Sequence, residues 1–359
     1  MTVDIARRKT RRIHVGNVPV GGGAPITVQS MTNTPTGDVA ATVAQIQRLE
    51  AAGCELVRVA VPDMEAATAI AAIKAQIRIP LIADIHFDHR LAIAAARHGA
   101  DGLRINPGNI GGRVKVQKVV DCARDLGLPI RIGVNSGSLE KDLLKTYNGA
   151  TAPAMVESAM RHVAMLEDAG FDQIKISIKA SDVPRTVAAY RLLAERTDYP
   201  LHLGITEAGS LYAGVVKSAL GIGMLLSEGI GDTLRVSLTR DCAEEVRVGF
   251  EILKALQIRQ RGPEIISCPT CGRCGIDLIG VVEQVEKALL THTAPIKLAI
   301  MGCVVNGPGE AREADIGIAG GEGLGILFKK GKVVRKVPQE QLAQVLLAEV
   351  AQWEKEQSR

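Results

Sequence analysis

The chain has 359 residues, 47% of them hydrophobic, which is enough for two domains or for one barrel with an appendage. The net charge is only +4, and four Tyr, four Phe and one Trp offer little material for base stacking, so we expect no nucleic-acid partner. No apolar run reaches the roughly 20 residues that span a bilayer, so we predict no membrane segment.

The basic N-terminus, residues 1–12, is not followed by the apolar stretch of a secretory signal. The chain has seven cysteines, three of them close together. They do not resemble the dense disulfide framework of small secreted proteins, and they fit reduced thiols that hold a metal. We therefore expect a cytoplasmic protein.

From residue 26 to residue 256 one unit repeats: a short β-branched apolar run, a polar turn and an amphipathic stretch with helical spacing. The predicted strands are 26–31, 56–61, 81–86, 102–106, 130–135, 174–179, 201–206 and 233–238. Alternating strands and helices with short loops predict a closed (β/α)8 barrel of TIM type over residues 1–258, rather than an open doubly wound sheet. Residues 13–26 are predicted to form a small hairpin that plugs one end.

The alternation stops after residue 256, where residues 257–266 are predicted to be a polar linker. Beyond it we predict a smaller α+β domain over residues 259–359, a common domain size. Its predicted elements are a helix at 276–290, a strand at 296–301, short strands near Ile316 and Ile326, a turn at 329–332 and a helix at 339–356.

Polar side chains share one face of several predicted barrel strands, because residues of like parity point the same way. They are Arg58, Asp84, His86, Arg104, Asn106, Arg131, Asn135, Lys175, Ser177, Lys179, Arg235 and Ser237. If this face is the interior, its cations require a neutralising ligand, most simply a diphosphate at the C-terminal mouth. Backbone amides of the loop 106–112 could bind a phosphate oxygen. The alternative is that these cations face outward and cover the helices with their stems.

Glu207 follows the seventh predicted strand and is, on the sequence, the lone acid among these cations. It could donate or accept a proton in catalysis. A structural carboxylate that pairs with Arg or Lys is the alternative.

Two cysteine-bearing segments lie near the C-terminus, Cys268-Pro-Thr-Cys271-Gly-Arg-Cys274 and 301–310, which contains Cys303 and ends at Glu310. Three thiolates and one harder, exchangeable carboxylate favour an iron-sulfur cluster with one metal open to a substrate oxygen. Zinc is the alternative, but the second CxxC pair of a zinc ribbon is missing. We interpret Cys274 as a packed or exposed thiol, and Cys54, Cys122 and Cys242 as small hydrophobic residues.

The chain resembles the bacterial 4-hydroxy-3-methylbut-2-en-1-yl diphosphate synthases. The resemblance is carried by segments 28–32, 83–87, 103–109, 132–137, 204–209, 267–271 and 301–310. It implies a 4Fe-4S cluster held by Cys268, Cys271, Cys303 and Glu310. It also implies reductive ring opening and dehydration of 2-C-methyl-D-erythritol 2,4-cyclodiphosphate, with flavodoxin or ferredoxin as electron donor.

The resemblance also implies roles for barrel residues, with Glu207 and Asn306 near the reacting carbons. The residues implied to bind the diphosphate are Arg58, Arg104, Arg131, Asn135, Lys179, Arg235 and Ser237. Two other functions remain open on the residues alone. A pterin-binding barrel methyltransferase would leave the cysteines unexplained, and a zinc-binding interaction module would leave the polar barrel face unexplained.

We further expect a head-to-tail homodimer. The eighth predicted helix returns the chain to the barrel face opposite the catalytic mouth, and the residues after it leave little slack to travel around the barrel. Each active site would then combine one chain's barrel with the other chain's cysteine domain, as the resemblance also implies.

Overall fold

The computed structural model describes residues 5–303, 311–321 and 323–357. The chain divides between Arg259 and Gln260 into two compact parts, which we call the barrel unit and the C-terminal unit. Within the described residues, no helix is both long enough and apolar enough to cross a membrane.

The barrel unit alternates strands and helices along the chain. Its strands are β1 Ile13–Val15, β2 Val18–Val20, β3 Thr27–Met31, β4 Leu56–Ala60, β5 Leu81–Asp84, β6 Gly102–Ile105, β7 Ile130–Asn135, β8 Ile174–Lys179, β9 His202–Leu203 and β10 Thr233–Leu234. Its helices are α1 Val39–Ala52, α2 Met64–Lys74, α3 His89–Arg97, α4 Pro107–Ile110, α5 Arg113–Asp125, α6 Lys141–Thr146, α7 Ala152–Asp168, α8 Val183–Arg196, α9 Leu211–Ser227 and α10 Cys242–Ala255.

Eight of these strands, β3 to β10, form one parallel sheet in the order β8-β7-β6-β5-β4-β3-β10-β9. A parallel bridge between Ile176 and Leu201 joins the two end strands and closes the barrel. The predicted TIM-type barrel is therefore confirmed. Apolar residues of the opposite parity, such as Val57, Val59 and Ile132, pack outward into the core shared with the helices.

The hairpin of β1 and β2 covers the N-terminal end of the barrel, as predicted. Ile13 and Val15 of the hairpin pack with Leu56 and Ile82, which lie at the beginnings of β4 and β5. The interior is therefore sealed by apolar contacts at this end, and its polar residues are approached from the C-terminal mouth.

β9 and β10 are much shorter than the predicted strands 201–206 and 233–238. The Arg235 amide still donates to the Leu203 carbonyl at 3.0 Å, so the two chains remain adjacent. Beyond that point the Leu238 amide donates to the Glu245 carboxylate at 3.1 Å, and a side chain replaces the strand partner.

The C-terminal unit is a five-stranded sheet with helices on one face. Its elements are β11 Glu264–Ser267, α11 Leu278–Leu289, β12 Lys297–Met301, β13 Ile316–Ala319, β14 Leu324–Lys329, β15 Lys332–Pro338 and α12 Leu342–Gln357. The order is β11-β12-β13-β14-β15, with the first three strands parallel and the last two antiparallel. Val285 of α11 and Leu346 of α12 pack on Leu298 and Ile318 of the sheet.

The prediction of a polar linker over residues 257–266 is wrong at its end, because Glu264–Ser267 is strand β11. Among the described strands it pairs with β12 alone, and it is only partly covered. An edge strand with two apolar residues gives too short a pattern for sequence periodicity to detect.

Candidate functional site

Charged side chains stand side by side inside the barrel. Strand register aligns Asp84 with Arg104, Arg104 with Arg131, and Arg131 with Lys175 on four neighbouring strands. All four residues are buried, as is Lys179 at the end of β8. The alternative in which these cations face outward is therefore wrong, because the outward parity is occupied by the apolar core.

Two carboxylates neutralise part of this charge. Asp84 Oδ1 lies 3.0 Å from Arg104 Nη1, and Asp84 Oδ2 lies 3.5 Å from Arg58 Nε. Burial alone would raise the Asp84 pKa, but the neighbouring guanidinium groups outweigh it and lower the pKa to about 2. Glu245 accepts from both Nε and Nη2 of Arg235 at 3.2 Å.

Positive charge nevertheless exceeds negative charge in the interior. We define the interior cations as Arg58, Arg104, Arg131, Lys175, Lys179 and Arg235, which face the carboxylates of Asp84 and Glu245. Among the described residues, Lys175 Nζ and two nitrogens of Arg131 have no hydrogen-bond partner. Burial, followed by the Arg131 and Arg58 charges, lowers the Lys179 pKa well below its usual value. This arrangement suits a small anion with more than one negative charge.

Two glycines make room for interior cations, and sequence reasoning missed both. A Cβ on Gly133 would lie 2.4 Å from Arg104 Nε, and a Cβ on Gly204 would lie 2.5 Å from Lys179 Nζ. Their signal in the sequence is a glycine within a strand pattern, which often marks the close approach of another group.

The other predicted barrel residues lie at or beyond the C-terminal ends of the strands. Asn135 ends β7 and is in register with Lys179, while Ser237 is half-buried past the end of β10. His86 is exposed with its Nε2 3.7 Å from Asp84 Oδ1. Asn106 has a structural role, because its side chain accepts a hydrogen bond from the Gly108 amide at 3.1 Å and caps helix α4.

The loop 106–112 contains the short helix α4, and α5 begins after Gly112 without a side-chain cap. The loop lies against His162, a buried residue that pairs with the half-buried Glu140 and that sequence reasoning missed. His162 Nε2 lies 3.1 Å from Glu140 Oε1, and a Cβ on Gly108 would lie 2.9 Å from the same nitrogen. Helix α7 thereby holds the segments that follow β6 and β7.

Glu207 is exposed and has a φ of 51°, in the left-handed region that non-glycine residues seldom occupy. Such strain is common at functional sites. The description of Glu207 as the lone acid among the cations is wrong, because Asp84 and Glu245 are buried among them. The sequence pattern did not reveal the Glu245 contact because Glu245 lies on α10, outside the strands.

Cysteines of the C-terminal unit meet at one edge of its sheet. Cys268 directly follows β11 and Cys303 closely follows β12, and these strands are parallel neighbours. The Gly302 amide donates to Cys268 Sγ at 3.2 Å, and the Gly275 amide donates to the Gly302 carbonyl at 3.0 Å. Thiols at one sheet edge, with a backbone amide directed at sulfur, are a donor set that fits an iron-sulfur cluster.

The described residues contain no group of three His, Cys, Asp or Glu side chains placed to hold a metal ion. Cys271 is exposed, and the predicted residues Asn306 and Glu310 lie outside the described residues. Cys274 Sγ donates to the Ile276 carbonyl at 3.3 Å and packs against the core of the unit. Cys54 and Cys242 are buried, and Cys122 is partly buried.

The fold and these sites define a TIM-type barrel protein with a cation-rich interior, joined to a unit with cysteines at one sheet edge. Family models match both parts: the GcpE TIM-barrel domain over residues 10–250 and the GcpE protein C-terminal domain over residues 264–352. The chain belongs to the GcpE family.

Similar proteins cover the chain almost completely. A protein of Geobacter sulfurreducens named 4-hydroxy-3-methylbut-2-en-1-yl diphosphate synthase (flavodoxin) is 66% identical over 344 residues, covering 96% of this chain and 98% of that protein. A protein of the same name from Desulfotalea psychrophila is 62% identical and covers 98% of both chains.

The solved structure of dihydropteroate synthase from Stenotrophomonas maltophilia is similar with a TM-score of 0.52 and 15% identity, covering 69% of this chain and 97% of that chain. At this identity the likeness concerns the barrel fold alone. It gives the pterin-binding alternative no functional support, and the match of both parts to one family disfavours the zinc-binding module.

Proposed function

We propose that the chain catalyses the reductive ring opening and dehydration of 2-C-methyl-D-erythritol 2,4-cyclodiphosphate, which yields 4-hydroxy-3-methylbut-2-enyl diphosphate for isoprenoid precursors. The observation that carries this proposal is 66% identity, over 96% of the chain, to a protein named for that product. The excess of buried positive charge in the barrel supports a diphosphate substrate.

The diphosphate binds at the barrel mouth to Arg58, Arg104, Arg131, Asn135, Lys179, Arg235 and Ser237. Support comes from Lys179 and Arg131, which are both buried. Burial and the neighbouring cations lower the pKa of each group, so that a bound anion would stabilise its charged form. Asp84 and Glu245 hold Arg104 and Arg235 in fixed directions, so their guanidinium groups are oriented before substrate binds.

Cys268, Cys271, Cys303 and Glu310 hold a 4Fe-4S cluster in this proposal. When bound, the cluster would relay the two electrons from the donor protein and would act as a Lewis acid. The Gly302 amide stabilises the Cys268 thiolate by hydrogen bonding. Glu207, exposed after β9, holds or moves a proton near the reacting carbons. The family resemblance implies a role there for Asn306 as well.

We further propose that flavodoxin delivers the electrons, on the strength of the relatives' name, and that ferredoxin is the alternative donor. A cytoplasmic location suits cysteines that must stay reduced to bind iron. The assembly is a head-to-tail homodimer in which two chains share each active site.

The test is anaerobic reconstitution with iron and sulfide, followed by an assay with the cyclic diphosphate and reduced flavodoxin. We expect a brown protein with broad absorption near about 400 nm, four irons per chain and formation of the linear diphosphate. A colourless zinc protein, or a loaded protein that leaves the cyclic diphosphate unchanged, contradicts the proposal.

A matched pair of cysteine variants tests the ligand set. Cys303→Ser should lose most iron and all turnover, because it removes a thiolate from the proposed site. Cys274→Ser should retain both, because the Cys274 thiol already donates to a backbone carbonyl. Iron counts per chain that fall in Cys274→Ser and persist in Cys303→Ser would reverse the assignment.

A further inference from the structure

Lys175 is a buried lysine that the proposed reaction does not use. It is the second residue of β8, four positions before Lys179, and therefore lies on the same interior face nearer the N-terminal end. The residue is 2% exposed, and its Nζ has no hydrogen-bond partner among the described residues. A charged amine in such a place requires compensation from its surroundings.

The charged groups around Lys175 are mostly positive. Arg131 is its register partner on β7, Arg58 approaches from β4, and His202 faces it from β9. Asp232, just before β10, is the nearby carboxylate, but it already binds Arg7 Nη2 at 3.2 Å. Burial first, and then the Arg131 charge, lowers the Lys175 pKa to about 7.

A water-sized cavity of about 10 Å³ adjoins this lysine. Arg131 and Lys175 are the charged residues of its lining, which otherwise consists of Val15, Ile82, Gly102, Leu103 and Pro129. The cavity lies where the hairpin meets the strand beginnings, at the end of the barrel opposite the proposed substrate site.

We propose that Lys175 is a positioning residue that takes up one proton from solvent when the cyclic diphosphate binds at the mouth, and that this proton strengthens binding. The inference rests on the proposed function. The substrate brings two negative charges into the interior, and nearby negative charge favours the protonated amine. The ring diphosphate has one strongly acidic oxygen on each phosphorus and nothing that titrates near neutrality, so any proton taken up resides on the protein.

The sign of the pH dependence follows from the two protonation states. Below the pKa of about 7 in the free protein, Lys175 is already charged and binding requires no proton. Above it, the free amine is neutral and the bound amine is charged, so binding takes up a proton and weakens as pH rises. The loss of affinity is at most about tenfold per pH unit for one proton.

The test is calorimetric titration of the cluster-loaded full chain with the cyclic diphosphate, without reductant, in two buffers of different ionisation enthalpy at pH 6 and pH 8. At pH 8 we expect Lys175→Met to take up about one proton per chain less than the unaltered protein, with little difference at pH 6. Lys118→Met, which removes an exposed lysine of α5, should behave like the unaltered protein.

If Lys175→Met retains the full uptake at pH 8, the proton goes elsewhere, with Lys179 and His202 as the next groups to test, and this proposal is overturned. Should Lys175→Met fail to fold, Lys175→Arg gives the same readout, because its guanidinium stays charged in both states. Binding by the unaltered protein without any proton uptake overturns this proposal alone. Absence of binding overturns the proposed function and this proposal with it.

Discussion

Arg104 shows how individual residues set the direction of a buried cation. Its Nη1 is held 3.0 Å from Asp84 Oδ1, while its Nε passes over the bare backbone of Gly133. An anion fixes one side of the guanidinium and a missing side chain opens the other. Both neighbours are therefore as necessary to the proposed site as the arginine itself.

Gly133→Ala should weaken substrate binding by displacing the Arg104 guanidinium. The added methyl group would lie 2.4 Å from Arg104 Nε, so the side chain must move. We expect KM to rise about tenfold or more, since a charge-assisted contact contributes roughly 1.5–3 kcal/mol. Gly137→Ala is the control, because a Cβ there meets nothing within 4 Å. Steady-state kinetics on both variants measure the difference, and an equal KM in the two would contradict this account.

Asp84→Asn should destabilise the barrel near neutral pH by about 3 kcal/mol, because it leaves Arg58 and Arg104 buried without their anion. The folded-state pKa of about 2 lies below the usual value of about 3.9, so the ionised carboxylate stabilises the fold above pH 4 or so. That contribution is lost as pH falls toward 2.

Denaturant unfolding of Asp84→Asn and the unaltered protein at pH 7 and pH 3 measures this effect, and the difference should shrink at the lower pH. Asp142→Asn is the control, because Asp142 pairs with Arg161 at the surface and should change stability little. A difference for Asp84→Asn that grows on acidification would show that the carboxylate is not ionised in the fold.

At the scale of elements, the sequence predicted correctly the bounds of strands with long apolar runs. The predicted bounds were wrong where a side chain replaces a strand partner and where a short strand lies at the edge of a sheet. β7 and β8 match their predicted bounds to the residue. β10 ends early because the Leu238 amide donates to the Glu245 carboxylate rather than to a neighbouring strand, and such a contact leaves no trace in local periodicity.

The candidate site divides in the same way. Strand parity predicted that the polar residues of each strand share one face, because alternation is a local property of the backbone. The strand register then places Arg104, Arg131 and Lys175 side by side. Parity could not reveal which cations are paired, since Glu245 reaches Arg235 from a helix. The His162 contact with Glu140 was likewise invisible, because it joins a helix to a loop.

Gly302, just after β12, offers a test of how residues 268–274, which we call the cysteine loop, are held in place. A Cβ on Gly302 would lie 2.6 Å from Cys274 Sγ, so Gly302→Ala should push the cysteine loop away from the sheet edge and lower the iron content after reconstitution. Adding Cys274→Ala removes the sulfur that the new methyl group meets, and should restore iron. Iron and sulfide counts on the single and double variants check this. If the double variant still loses iron, the added methyl group does not act through a clash with Cys274 Sγ.

At the scale of the whole molecule, the path of the chain constrains where an active site can form. Arg259, the last residue of the barrel unit, donates to the Ile26 carbonyl at 2.5 Å and to Glu55 at 2.9 Å. Both partners precede strands, so the chain leaves the barrel at the N-terminal face. The proposed substrate site opens at the opposite face. The proposed sharing of each site between two chains would not require the chain to pass from one face of its own barrel to the other.

Subunit mixing tests the shared site. Glu207→Gln chains are expected to be inactive because the barrel part of the active site is altered. Cys303→Ala chains are expected to be inactive because a cluster ligand is missing. If each site combines one chain's barrel with the partner's C-terminal unit, a dimer of one chain of each kind contains one intact site. Random exchange of equal amounts should then restore about a quarter of full activity.

The decisive control carries both changes in one chain. We pair an unaltered chain with a chain that carries both Glu207→Gln and Cys303→Ala. If sites are shared, each of the two sites in this dimer contains one altered residue. If each chain builds its own site, the unaltered chain keeps one intact site. Tagged heterodimers purified by two affinity steps and assayed anaerobically separate these cases. Activity in this dimer, with none in the complementary mixture, would mean that each chain builds its own site. The opposite pattern requires that the barrel mouth of one chain be completed by the cysteines of its partner.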